Sequence, residues 1–187
     1  MKPFIENIPE LANEISSKGN IILESSQGFG LSNYFGFGKY VTSVDVTTGS
    51  LIAGVGVDWR KIKEVILVVK ALPTREGTGP MGNVDEFTVE EMFERGIVEY
   101  SSIHDPKTGK PNIRRKAKSI DWDILKRACL INGATQIALT FAEHYDKNVT
   151  DVTKWSDLTP KVLDLIEKIE SVTGIPVTVV NTGKSFS

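Results

Sequence analysis

The sequence predicts an α/β protein, a mostly parallel sheet flanked by helices. Three observations carry that expectation. The apolar runs "NIILE", "EVILVVKAL", "TQIALTF" and "IPVTVVNT" are short and continuous, not alternating, as strands buried on both faces of a parallel sheet read. Amphipathic helical patterns precede the first, third and fourth of them. The chain order is therefore helix, strand, helix, strand.

Each element has its own warrant. "NIPELANEISSKG" sets Ile8, Leu11 and Ile15 on one helical face and stops at Gly19. "NIILE" follows as the first strand and leads into "ESSQGFGLSNYFGFGKYVTS", rich in glycine and aromatic rings. "EVILVVKAL" is the second strand. From Thr74 to Lys118 the chain is polar and rich in Gly and Pro, broken by the helical "TVEEMFERG". "SIDWDILKRACLING" places Ile120, Ile124, Ala128 and Ile131 in a stripe ended by Gly133. "LTPKVLDLIEKIESVTG" has Pro160 at its start and Gly174 at its end, with Val162, Leu165, Ile166 and Ile169 as its apolar face. No repeat or low-complexity tract is visible. A single α/β domain over residues 1–187, with an irregular, loop-rich segment 74–118, is expected.

Composition narrows the function classes. A net charge of −2 over 187 residues, with both signs mixed, gives no basic footprint for nucleic acid. No apolar run approaches the ~20 residues of a membrane span, and "MKPFIENIPE" does not read as a signal peptide. The single Cys129 allows no internal disulfide and fits a reducing cytoplasm, as a buried thiol on a helix.

Parallel-sheet proteins bind ligands beyond the carboxyl ends of their strands. Here those segments are "ESSQGFGLSN", "LPTREGTGP", "FAEHYDKN" and "NTGKSFS", all rich in Gly, Ser, Thr or charge. None is a standard phosphate loop. Asn33 stands where a dinucleotide fingerprint starting at Gly28 and Gly30 needs its third glycine. "NTGKS" has Thr178 where a P-loop needs its first glycine. His104 and His144 lie in separate stretches without ligand-spaced cysteines, so no metal site is expected. "NIRRKAKS" is either a solvated charge run or, through Arg114 and Arg115, a bidentate trap for carboxylate or phosphate.

Read as one string, "ILESSQGFGLSNYFGFGKYVTSVDVTTGS" resembles the central segment of adenylosuccinate synthetase, E-G-A-Q-G-x followed about ten residues on by Y-V-T-S-x-N-T-T-A-G-G. "VILVVKALPTREGTGP" resembles that family's V-x-x-V-x-K-A-Y-x-T-R-V-G-x-G-P. "LINGATQIALT" is similar to the stretch ending in its L-T-K-L-D guanine motif, and "IEKIESVTGIPVTVVNTGK" to its closing segment. The likeness runs from about Ile21 to Lys184 and is nearest the shorter, archaeal-type enzymes.

The resemblance implies a P-loop-like fold and an enzyme of AMP biosynthesis. That family uses GTP and Mg²⁺ to join L-aspartate to IMP, phosphorylating the IMP 6-oxygen before the aspartate amine displaces it. Gln27 would be the catalytic, base-contacting amide and Thr42 a holder of the IMP phosphate. Gly109, Arg114 and Arg115 would match the aspartate loop, and Thr140, Glu143, Thr182 and Gly183 the nucleotide site. Departures are visible: Phe141 replaces the stacking lysine, Glu143 replaces the base-reading aspartate, and Glu76 replaces a valine. The opening G-D-E-G-K-G of the family and its catalytic histidine are not in these 187 residues. The expectation is a chain inactive alone and binding neither GTP nor Mg²⁺ unaided. It would be either half of a synthetase completed by a partner, or a non-catalytic homologue that binds a purine nucleotide or a synthetase. A third possibility is an α/β protein with no retained ligand. An apolar surface or free strand edge is expected to be covered by that partner or by homodimerisation.

Overall fold

The computed structural model describes residues 6–183. Its first part runs α1 (Ile8–Lys18), α2 (Thr48–Val55), β1 (Ile66–Lys70), β2 (Thr74–Arg75) and α3 (Val89–Arg95). Then come β3 (Tyr100–His104), β4 (Pro111–Ile113), β5 (Arg115–Lys116), α4 (Trp122–Asn132), β6 (Gln136–Thr140), the single-turn α5 (Ala142–Tyr145), α6 (Pro160–Thr173) and β7 (Val177–Val180). The central sheet has three parallel strands in the order β1-β6-β7, with Ile66 opposite Gln136 and Lys70 opposite Thr140.

The helices form where local signals are strongest. Asp121 caps α4 by accepting from the Ile124 N–H at 3.0 Å, and a left-handed Gly133 ends it. In α6, Pro160 opens the first turn and Val162, Leu165, Ile166 and Ile169 are buried, as the spacing predicts. Thr88 and Glu91 close a reciprocal capping box on α3. In α4 the buried residues are Leu125, Ala128 and Cys129, one position round from the stripe expected on Ile124 and Ile131. The stripe turns because α4 packs on the sheet and α6 together, and Ile120 joins that core from just before the helix.

Three expectations are corrected. "NIILE" is not a strand: no described strand pairs with it, and Ile22 is 92% exposed. Continuous apolar residues encode a demand for cover but do not supply the neighbouring backbone that makes a strand. The stripe of α1 also points outward. Ile8, Leu11 and Ile15 are exposed while polar Asn13 fixes the helix, donating to the Gly56 carbonyl at 2.9 Å and accepting from the Asp58 N–H at 2.9 Å. Finally, only one face of the sheet is fully covered, although Ala138 on the other is buried between Val68 and Val179. Leu67, Val69, Ile137, Leu139 and Val177 pack with α4 and α6. On the other face Ile66 is 50%, Val68 67% and Val179 48% exposed.

The segment 74–118 carries more order than its composition suggests. β2 pairs antiparallel with β5, and β3 with β4 as an irregular hairpin. α2 was not legible as a helix, being short and interrupted by Gly49 and Gly54. Among the described residues no helix is long and apolar enough to cross a membrane.

Candidate functional site

The glycine-rich loop takes its shape from one carboxylate. The hydroxyl of buried Ser32 donates to Asp45 at 2.6 Å and accepts from the N–H groups of Tyr34 and Phe35. Thr47 donates its hydroxyl to the same carboxylate and its N–H at 3.3 Å. Burial works to raise the Asp45 carboxyl, but these bonds outweigh it and hold it below its ordinary range. Backbone bonds cross the loop, Thr42 N–H to Leu31 at 2.8 Å and Phe37 N–H to Gly30 at 3.1 Å. Gly36 is needed for close approach: a Cβ there would lie 2.5 Å from the Gly30 oxygen and 2.6 Å from that of Ser32. Phe29 and Phe35 stack at 6.2 Å, with Tyr34 edge-on to Phe35. In this loop Gln27 is exposed at φ 72°, a left-handed conformation uncommon outside glycine, and Thr42 is half-buried.

Although it follows no strand, the loop is tied to β2. Arg75, at the end of β2, spreads its guanidinium over three carbonyls: Tyr40 at 2.7 Å, Thr78 at 3.1 Å and Pro80 at 3.3 Å. Arg115 grips Glu86 with two nitrogens and donates to the Gly79 and Gly77 carbonyls at 2.8 and 3.1 Å. Its fork is thus committed inside the protein. Arg114 is held less tightly, 3.8 Å from Glu99 and 4.0 Å from Glu76. Gly109 sits in the turn between β3 and β4, so the length of β4 separates it from Arg114 and Arg115.

Beyond the ends of β1 and β6 lies a charged cluster that the sequence did not disclose. Glu99 bonds Lys70, lies 3.4 Å from Lys116 and is also approached by Arg114. The Lys116 side chain is 0% exposed, with its Nζ 2.9 Å from Nδ1 of His144. Burial pushes the Lys116 ammonium down, more than the attraction of Glu99 and Glu143 raises it. At Glu99 the balance reverses: burial works upward, but its lysine partners hold the carboxyl low. Phe141 has φ 57°, strained for an aromatic residue, and lies within 4.5 Å of the Lys70 ammonium and 4.9 Å of the His144 ring. The only trace of this cluster in the sequence is Lys70 at a strand end and Lys116 inside the basic run.

The residues matched to the nucleotide site are engaged within the chain. Thr140 donates to the Val69 carbonyl at 3.4 Å, and buried Thr182 to that of Val152 at 2.7 Å. One Glu143 oxygen is buried and its charge acts on Lys116. Gly183 packs against Asp151, its carbonyl accepting from Asn181 at 2.9 Å. Lys184 and Ser185 lie outside the described residues. Among the described residues no three His, Cys, Asp or Glu side chains gather as a metal site, and Glu76, Glu86 and Glu99 each face an arginine or lysine.

The fold is that of an α/β protein with a parallel sheet, a class in which ligands lie beyond the carboxyl ends of the strands. A sequence profile of adenylosuccinate synthetase matches residues 1–147. The adenylosuccinate synthetase of Methanocaldococcus jannaschii is 42% identical over 184 residues, 98% of this chain and 51% of the relative. That of Archaeoglobus fulgidus is 39% identical over 98% of this chain and 52% of its own. The chain belongs to the adenylosuccinate synthetase family.

Solved structures agree on the fold. The fully ligated adenylosuccinate synthetase of Plasmodium falciparum superposes with a TM-score of 0.74 at 18% identity, over 96% of this chain and 51% of that one. A cyanophage S-2L succinoaminodeoxyadenylate synthetase, bound to dGMP and dATP, gives 0.67 at 24% identity over 94% and 47%. The chain spans about half the length of the curated relatives it matches.

Proposed function

We propose that this chain supplies the purine-monophosphate side of adenylosuccinate synthesis, joining IMP and L-aspartate at the expense of GTP, and that it acts only with the rest of a synthetase. The single observation that carries the reading is the preformed loop on Asp45, which contains Gln27 and Thr42 and whose Tyr40 carbonyl is tied to Arg75 of β2. An amide offers a purine edge both donor and acceptor, and a hydroxyl beside bare backbone suits a phosphate. Arg114, shared loosely between two carboxylates, is the cation free to exchange onto the carboxylate of aspartate; Gly109 would lend only a flexible turn, and Arg115 only support. Thr140, Glu143, Thr182 and Gly183 would contact GTP only after exchanging or sharing the partners and packing they have inside the chain. A reducing, cytoplasmic setting completes the reading.

Titration calorimetry with IMP tests it. Gln27→Ala and Thr42→Ala are each expected to weaken binding by about 1–3 kcal/mol, the cost of unpairing a desolvated polar group. Unchanged affinity in both variants, with melting intact, would leave the loop as inherited shape only.

A second reading, a non-catalytic binding module, is favoured by the neutralised cluster around Glu99, whose cations are already paired. Both readings expect the 187-residue polypeptide alone to release no phosphate from GTP in the presence of IMP and aspartate. Phosphoryl transfer needs positioned cations and a cradle of amides. Turnover lost on Gln27→Ala would show that these residues supply that cradle themselves.

A further inference from the structure

We infer that Glu76 and Arg114 together recognise the zwitterion of an α-amino acid, Arg114 taking the carboxylate and Glu76 the ammonium. The inference rests on the reading above, which gives Arg114 a ligand carboxylate and Glu76 no part. The register of β2 and β5 brings the two side chains together. Thr74 lies opposite Lys116 and Arg75 opposite Arg115, so one position further on Glu76 meets Arg114. On the other side of Arg114, its N–H donates to the Glu99 carbonyl at 2.8 Å, which sets Glu99 and Ser101 alongside. Residues two apart on extended chain share a face. Thr74 with Glu76, Arg114 with Lys116, and Glu99 with Ser101 thus form one polar surface, joined by their contacts.

The two ends of this surface differ. At one end the charges are spent: Glu99 bonds Lys70, Lys70 donates to the Thr74 hydroxyl at 2.9 Å, and Lys116 is enclosed. At the other end they are not. The Arg114 guanidinium lies 3.8 Å from Glu99 and 4.0 Å from Glu76, beyond hydrogen-bond reach. Among the described residues it makes no hydrogen bond. One oxygen of Glu76 accepts from the hydroxyl of buried Ser101, while the other faces Arg114 across the gap. The Arg114 and Glu76 side chains are 32% and 26% exposed, so a small ligand reaches both. Unspent donors beside an unspent carboxylate oxygen are complementary to a molecule that carries both charges. A plain dicarboxylate would gain Arg114 but meet repulsion from Glu76, which Ser101 keeps from swinging away.

NMR titration of the 187-residue chain with L-aspartate and with succinate tests the inference, since succinate has the same two carboxylates without the ammonium. The Nε–Hε resonance of Arg114 is expected to shift, and L-aspartate to bind about tenfold or more tightly than succinate, the worth of one charge-assisted hydrogen bond. Glu76→Gln keeps the shape and an oxygen for Ser101 but removes the charge. It is expected to weaken L-aspartate, strengthen succinate and so abolish the preference. Glu91→Gln is the control, removing a carboxylate paired with Lys118 while keeping a side chain able to close the capping box. It is expected to leave the preference unchanged, and melting of both variants checks the fold. No shift at Arg114 with L-aspartate, equal affinity for the two ligands, or a preference that survives Glu76→Gln would each overturn the inference. A preference for L-aspartate in a chain that does not bind IMP would instead sink the nucleotide reading and leave the Glu76–Arg114 site standing.

Discussion

Replacing Glu99 with alanine is expected to cost this chain about 3 kcal/mol of folding stability, the penalty for leaving a buried cation without its partner. The cation is Lys116, whose side chain is fully enclosed and which has Glu99 as its close carboxylate at 3.4 Å. Lys70 loses its partner in the same change. A second variant separates charge from packing: Glu99→Ala combined with Lys116→Met is expected to recover part of the loss, because an apolar side chain of similar length needs no counter-ion. Urea unfolding of the three proteins measures it. A Glu99→Ala protein as stable as the parent would show that His144 and Glu143 suffice for Lys116. The acid limb carries the same sign. The folded carboxyl of Glu99 is held low, while an unfolded glutamate titrates near ~4.3. Its stabilising contribution is therefore complete above that value and disappears as pH falls through the lower folded value. Glu99→Ala is expected to flatten that part of the stability curve.

Gly36→Ala is expected to have the next largest effect, about 1–3 kcal/mol, the range for forcing extra atoms into packed space. The new methyl would meet two backbone carbonyls and the Val41 side chain, and backbone carbonyls cannot swing aside as a flexible side chain would. The loop must open, and the Asp45 bonds to Ser32 and Thr47 open with it. IMP binding is expected to fall more than the melting temperature, since no residue from 27 to 47 belongs to the core packed between α4, α6 and the sheet. Calorimetry and melting on one sample compare the two; equal loss in both would mean that the loop and the core unfold as one unit.

What the sequence discloses divides along the range of the forces. α3, α4 and α6 are legible because caps and stripes are local: Thr88 with Glu91, Asp121 with Gly133, Pro160 with Gly174. β1, β6 and β7 are legible as strands for the same reason. Their cover is not. "NIILE" and "ILVVK" read alike as apolar runs, yet one pairs with nothing described and the other forms a sheet edge. Hydrophobicity states a need for burial without naming the surface that meets it. The Glu99–Lys116–His144 cluster joins residues 17 and 28 apart in sequence, and no periodicity connects them. Gln27 and Thr42 were picked out by resemblance; that Asp45 and Arg75 shape and anchor their loop emerges only in three dimensions.

The Asp45 anchor also bears on the speed of encounter. A glycine-rich loop ordinarily fluctuates among many shapes, and a ligand that selects one of them is slowed by the rarity of that shape. Here Ser32, Thr47 and the crossing backbone bonds fix the shape beforehand. If the loop takes a purine as proposed, the ligand would meet a surface already formed, and capture is expected as a single stopped-flow phase, linear in ligand concentration, with no slow isomerisation behind it.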